Sequence, residues 1–315
     1  MLKVLFIDSV HPILNERLTK MGFECINGTQ FSPEEIAAVL PEVSGLVIRS
    51  RFTLDAEFLE NAPQLKFIAR SGSGLENIDQ IYCKERNITL FNSPEGNRNA
   101  VAEHALGMLL VLLNHIHTAD LQIRKGIWTR EANRGEELDG KTVGIIGFGN
   151  NGAAFAKKLR GFDVKVMAYD KYKTGFGDHF VQECTLEAIQ EQANVLSFHI
   201  PQNKETKYWA NEAFFNAFAK PFFLLNLSRG KIVNTKDLVK ALKSGQVRGA
   251  GLDVLEFEMK SFESFFEQQL PEEFRYLIAA ENVVLTPHVG GWTTESYFKL
   301  SDVLATKILE WDGGK

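Results

Sequence analysis

The sequence predicts an α/β protein built from two doubly wound, parallel-sheet domains. Short apolar runs ending in small or polar residues alternate with stretches of helical spacing from the first residue onward. A glycine-rich loop of the kind that opens such a domain begins only at residue 147. At 315 residues the chain is long enough for two ordinary cores.

Taken in order, "VLFID" (4–8), "GLVIRS" (45–50) and "LKFIARSG" (65–72) read as buried strands. Between them, Pro12–Lys20 and Pro33–Val39 have helical spacing, each with proline at its start. The stretch 97–126, "NRNAVAEHALGMLLVLLNHIHTADLQIRKG", is apolar on most faces and is expected to form one long helix between domains or subunits. "LDGKTVGIIGFGNNG" then gives a strand, a turn and the start of a helix. Strand-like runs follow at 163–170, 194–201, 222–230, 249–255 and 282–291. A domain division is expected near residue 96.

Composition narrows the function. The chain is 44% hydrophobic and 24% charged, as in a folded globular protein. A net charge of −5 argues against general binding to nucleic acid or anionic membranes, so an anionic ligand needs a local arginine cluster. Cys25, Cys83 and Cys184 have no zinc or disulfide spacing, which fits a reducing compartment. "MLKVLFIDS" is too short for a signal segment, and the longest apolar stretch, Ala105–Leu113, is far shorter than a membrane span. A soluble, cytoplasmic protein is expected. His115 and His117 are two apart on a predicted helix and point to different faces, so no metal site is expected.

Gly147-Phe-Gly149-Asn-Asn-Gly152 matches G-x-G-x-x-G, a weak signal until its context is read. Here a β-branched strand runs into the loop, a helix follows, and a second strand ends at Asp170, 18 residues beyond Gly152. Gly147 permits the tight turn, Gly149 lets backbone approach a pyrophosphate, and Gly152 lets the helix pack close. Asp170 suits the adenosine ribose hydroxyls and repels a 2′-phosphate, which favours NAD over NADP. This is a Rossmann-like dinucleotide cradle.

Three later segments stand at strand ends, where open α/β sheets place ligands. "NLSRG" supplies Arg229, "GLDVLEFE" supplies Asp253, Glu256 and Glu258, and "LTPHVGG" supplies His288. An arginine can clamp the carboxylate and carbonyl of an acid substrate. A histidine can pass a proton to the carbonyl oxygen, with a carboxylate fixing its tautomer.

These motifs, in this order, resemble the NAD-dependent D-isomer-specific 2-hydroxyacid dehydrogenases. "ARSGSGLENID" (69–79) and "FNSPEGNRNAVAEHALGML" (91–109) extend the likeness over nearly the whole chain. The resemblance implies an Arg-Glu-His catalytic set: Arg229, Glu258 (29 residues later, rather than Glu256) and His288. It implies that Asp253 contacts the nicotinamide amide. It also implies that Asn150, Asn151, Ile200, Pro201, Leu227, Ser228, Gly290 and Gly291 line the cofactor, and that Ser73 and Gly74 hold the substrate carboxylate. It places a flavodoxin-like substrate domain at 1–96 and 293–315, with the NAD domain at 97–292 inserted. The long helix and the arm after it resemble the family's homodimer contact. The sequence departs from the family at Asn151, where an aliphatic residue is usual, at Met259, where proline is usual, and in "SRG" and "ENID". None of these removes a reacting group. Phe262, Phe265 and Phe266 are expected to form an ordinary apolar face.

Arg49 and Arg51, after a strand, and Arg70, before the "GSG" loop, resemble the phosphate-binding arginines of the phosphoglycerate dehydrogenases within the family. Arg130, in the arm, would add to them from a partner subunit. The expected substrate is therefore D-3-phosphoglycerate, oxidised to 3-phosphohydroxypyruvate in serine biosynthesis. The alternative is a glyoxylate or hydroxypyruvate reductase, and further off a non-catalytic NAD-binding regulator. With its end at Lys315, no C-terminal regulatory domain is expected.

Overall fold

The computed structural model describes residues 1–258 and 270–311. The chain divides into two compact units. One holds Met1–Arg98 and the C-terminal segment from Trp292, the other Asn99–Glu258 and the segment ending at Gly291.

The first unit is a parallel sheet of β1 (Lys3–Phe6), β2 (Glu24–Asn27), β3 (Gly45–Ile48), β4 (Phe67–Arg70) and β5 (Thr89–Asn92). Its strand order is β2-β1-β3-β4-β5. The connections run through α1 (Ile13–Lys20), α2 (Pro33–Val39), α3 (Ala56–Glu60) and α4 (Gln80–Glu85). Successive strand residues point to opposite faces, and both faces are covered, so the central strands read as unbroken apolar runs. Leu5, Leu46 and Ile68 pack with Ile36 and Leu40 on one side. Val4, Val47 and Phe67 pack on the other, with Leu14, Leu18 and, from the C-terminal helix Thr294–Leu309, Leu304 and Ile308. Thr293 starts that helix with a capping box to Ser296.

The predicted long helix is two. α5 (Pro94–Leu113) and α6 (Ile116–Arg124) meet at a 63° bend. His115 there has a left-handed φ of 50°, which no helix continues through. The Leu113 carbonyl accepts from the Glu136 N–H of the arm instead of from the next helical turn.

The second unit is a seven-stranded parallel sheet: β6 (Thr142–Ile146), β7 (Lys165–Tyr169), β8 (Val181–Glu183), β9 (Val195–Phe198), β10 (Phe222–Asn226), β11 (Val247–Leu252) and β12 (Val283–Leu285). The order is β12-β11-β10-β9-β6-β7-β8, so the direction of winding reverses between β6 and β9. α7 (Asn150–Lys158), α8 (Leu186–Gln192), α9 (Glu212–Asn216), α10 (Thr235–Ser244) and α11 (Glu272–Ala279) join the strands. Phe198, Phe215, Phe222 and Leu252 fill one face. Val143, Ile145, Phe155 and Leu225 fill the other, with Leu109 of α5. The phenylalanines expected at 262, 265 and 266 lie outside the described residues.

Candidate active site

The glycine loop lies at the winding reversal of the second unit. β6 is buried to its end, and Gly147 turns the chain with φ 91°. A β-carbon on Gly152 would sit 2.0 Å from the Gly147 carbonyl oxygen, so only glycine lets α7 start this close to the turn. Gly149 is the N-cap of α7, has no side chain to cap it, and would have nothing within 4 Å of a β-carbon. The Asn151 Oδ1 in the first turn is buried without a partner. A half-buried helix N-terminus with open space before it and an orphaned polar atom beside it fits a pyrophosphate. The Ile200 side chain lies beside Gly147.

Asp170 ends the strand next to the loop. Its Oδ2 accepts from Phe148 N (2.7 Å), and its Oδ1 from Tyr172 N (2.9 Å) and Lys173 N (3.0 Å). The carboxylate thus braces the loop and keeps about one acceptor direction for a ribose hydroxyl. Behind the loop, the Nε2 of His199 is 2.8 Å from Ser197 Oγ, and burial pushes this imidazole down to about 4, leaving it neutral.

The candidate catalytic residues stand on the turns after β10, β11 and β12. Glu258 is fixed at both oxygens: Oε1 accepts from Leu255 N, and Oε2 lies 2.8 Å from His288 Nδ1. With Nδ1 held by a carboxylate, the orientation of the ring is fixed. Glu256 is committed elsewhere, its Oε2 accepting from Thr235 N at the start of α10 (2.7 Å). Arg229 lies after β10, where Asn226 ties the turn: its Oδ1 accepts from Ser228 N and Oγ, and its Nδ2 donates to the Arg229 carbonyl. The adjoining Gly230 packs directly on the Leu255 backbone, so the Arg229 turn is seated against the turn that carries Glu258.

His288 has φ 54°, an uncommon conformation for a residue with a side chain. Its N–H donates to the carbonyls of Asp253 (2.8 Å) and Thr286 (3.0 Å). Asp253 is 2% exposed, and its carboxylate accepts from Thr286 Oγ1, Val289 N and Gly290 N. Leu227 and Asp253 both lie against Gly290, so three residues expected at the cofactor do converge.

In the first unit, Asp8 at the end of β1 organises the loop after β3. Its Oδ2 accepts from the N–H groups of Arg49, Ser50 and Arg51, and its Oδ1 from Ser9. Arg51 is held by the loops around it. Its guanidinium donates to the carbonyls of Ile7, Thr29 and Phe31, which leaves two of its five N–H groups and makes it a clamp between loops. Arg49 instead stacks its guanidinium 4.6 Å over the Trp292 ring. Arg70 lies over Gly72, with Nε donating to the Arg49 carbonyl. Ser73 donates its hydroxyl to Asn97 Oδ1 (2.7 Å). The sequence reading singled out none of Asp8, Asn226, Thr286 or Trp292.

A nucleotide cradle and a carboxylate–imidazole pair on one parallel sheet define a nicotinamide-dependent oxidoreductase. Residues 106–290 match the family model for the NAD-binding domain of D-isomer specific 2-hydroxyacid dehydrogenases. The chain is 34% identical over 285 residues to a hydroxypyruvate reductase of Thermotoga maritima, covering 90% of each. It is 31% identical to a D-3-phosphoglycerate dehydrogenase of Archaeoglobus fulgidus, covering 99% of this chain but 58% of that longer protein. Its structure superposes with TM-score 0.81 and 28% identity on an NADPH-dependent glyoxylate/hydroxypyruvate reductase of Sinorhizobium meliloti, covering 99% of this chain and 95% of the other. The chain belongs to the D-isomer specific 2-hydroxyacid dehydrogenase family. Its cofactor is NAD.

Proposed function

We propose that the chain interconverts a short 2-keto acid and its D-2-hydroxy acid, with hydroxypyruvate or glyoxylate as the keto acid. The 2.8 Å pair of Glu258 and His288 carries the reading of the reaction. A nicotinamide cofactor held at the glycine loop would supply or accept the hydride exchanged at the substrate's C2. His288 Nε2 holds the proton that the C2 oxygen gains or loses, and Glu258 keeps the ring in that orientation. Arg229 pairs with the substrate carboxylate and favours a polarised carbonyl. Ser73 and Gly74 are proposed to meet that carboxylate with backbone N–H groups. Leu227, Ser228, Asp253, Gly290 and Gly291 remain the proposed surroundings of the nicotinamide.

The commitment of Arg51 to three carbonyls supports the unphosphorylated substrate, because it takes one of the three expected guanidinium groups from a phosphate site. D-3-phosphoglycerate is the second reading, favoured by Arg49 and Arg70 together at the ends of β3 and β4. The test is NADH oxidation with 3-phosphohydroxypyruvate, hydroxypyruvate, glyoxylate and pyruvate. We expect hydroxypyruvate or glyoxylate to have the highest kcat/KM. A hundredfold preference for the phosphorylated acid, about 2.7 kcal/mol, would reverse the assignment. α6 and the arm after it are further proposed to meet a second copy of the chain.

A further inference from the structure

Helix α5 carries His104, which the sequence reading absorbed into an apolar stretch. Its Nε2 is 3.0 Å from Thr286 Oγ1, and that oxygen is 2.6 Å from Asp253 Oδ1. The Thr286 hydroxyl has a single proton, and a carboxylate only accepts, so the proton goes to Asp253. A lone pair of the hydroxyl then faces His104, whose Nε2 must carry a hydrogen. The same nitrogen is 3.7 Å from Asp253 Oδ1. Residues 286–290 wrap around this carboxylate: Thr286 Oγ1, Val289 N and Gly290 N all donate to it, and His288 N donates to the Asp253 carbonyl. A left-handed backbone at a residue like His288 is strained and persists only where its surroundings over-determine it.

We propose that His104 is a positioning residue for His288, acting from α5 through Thr286 and Asp253. The imidazole N–H sets the rotamer of the Thr286 hydroxyl. The hydroxyl in turn completes the acceptor shell of a buried carboxylate on which the catalytic turn is wound. His104 sits in the 20-residue helix α5, and Met108, one turn on, packs its sulfur 4.0 Å from the same hydroxyl. A long helix therefore braces the turn that carries His288. The inference rests on His288 being the proton-transfer group.

Two variants and one background test it. His104→Phe keeps a ring and removes the N–H, and His104→Gln restores a donor. On the best keto acid, H104F is expected to lower kcat by about tenfold to a hundredfold, with KM for NADH within about twofold, and H104Q to recover most of the loss. In an H288A background, adding H104F should change nothing further, because the residue acts through His288. Amide hydrogen exchange needs no turnover: Val289 and Gly290 should exchange about tenfold faster in H104F and in Thr286→Val than in the wild type. Unchanged exchange in both variants, or a full H104F loss persisting in the H288A background, overturns the proposal. A wild type inactive on every keto acid would instead overturn the functional reading, and the exchange result alone would then decide this one.

Discussion

His288 and its neighbours show how much of a site one side chain can depend on. Two acids precede His288 in "LEFE", two residues apart, and the structure separates their tasks. Glu258 Oε2 meets the imidazole, whereas Glu256 Oε2 holds the first turn of α10. Glu258→Gln should therefore lower kcat by roughly a hundredfold or more, since an amide holds the ring in orientation without its charge. Glu256→Ala should leave kcat within about twofold and lower the melting temperature, as loss of a helix-terminal acceptor costs about 1 kcal/mol. Steady-state kinetics and thermal melts of the two variants check this, and the opposite pattern would reassign the carboxylate. Arg229, Glu258 and His288 could be named as candidates because each lies in a recognisable strand-end motif, and the structure pairs the last two. Asp8 and Thr286 were not, because their partners lie elsewhere in the chain. Asp8 binds the N–H groups of residues 49–51, and Thr286 binds Asp253 and His104. The partners of Arg51 were hidden for a similar reason. Its strand-end position was visible, but the three carbonyls that occupy it come from Ile7, Thr29 and Phe31.

Strands were legible where both faces are buried and obscure where one is wet. β3, with all four residues buried, reads as an apolar run. β2 (Glu-Cys-Ile-Asn), β5 (Thr-Leu-Phe-Asn) and β8 (Val-Gln-Glu) were not foreseen; each is an edge strand with partly exposed, half-polar residues. The α5–α6 break was hidden for another reason. The stretch contains no proline, and the break shows only in the left-handed His115 and the arm residue bound to the Leu113 carbonyl. Beyond the bend, α6 and the arm expose Ile116, Ile123, Ile127 and Trp128, the last 77% accessible. Scattered apolar residues need no explanation, but a contiguous set on one helix and its arm suits an interface. If a second copy covers it, Trp128→Glu should shift sedimentation from dimer to monomer. A wild type already monomeric at micromolar concentration would count against the contact.

On the scale of the molecule, two parallel sheets wound in different orders explain why a single chain can present two sets of strand ends. The first unit has its reversal between β1 and β3, where Asp8 and Arg49 stand. The second has it between β6 and β9, where the glycine loop stands. The sheet class followed from alternation alone, and the inserted domain order was an implication of the family resemblance. Neither showed how the second unit's interior handles polar groups, and His199 is the telling case. Its Nδ1 is buried without a partner, and desolvation lowers the ring's ordinary value near 6.5 to about 4. As pH falls from 6.5 towards 4, the unfolded chain takes up a proton that the native one refuses, so acid selectively rewards unfolding. Through that window the imidazole should remove roughly 3 kcal/mol of stability. Urea titrations at pH 7 and pH 4.5 on the wild type and His199→Asn would measure it, and equal losses in both proteins would discount the effect. A histidine that touches no reacting atom would thus set the acid limit of the unit that holds the cofactor.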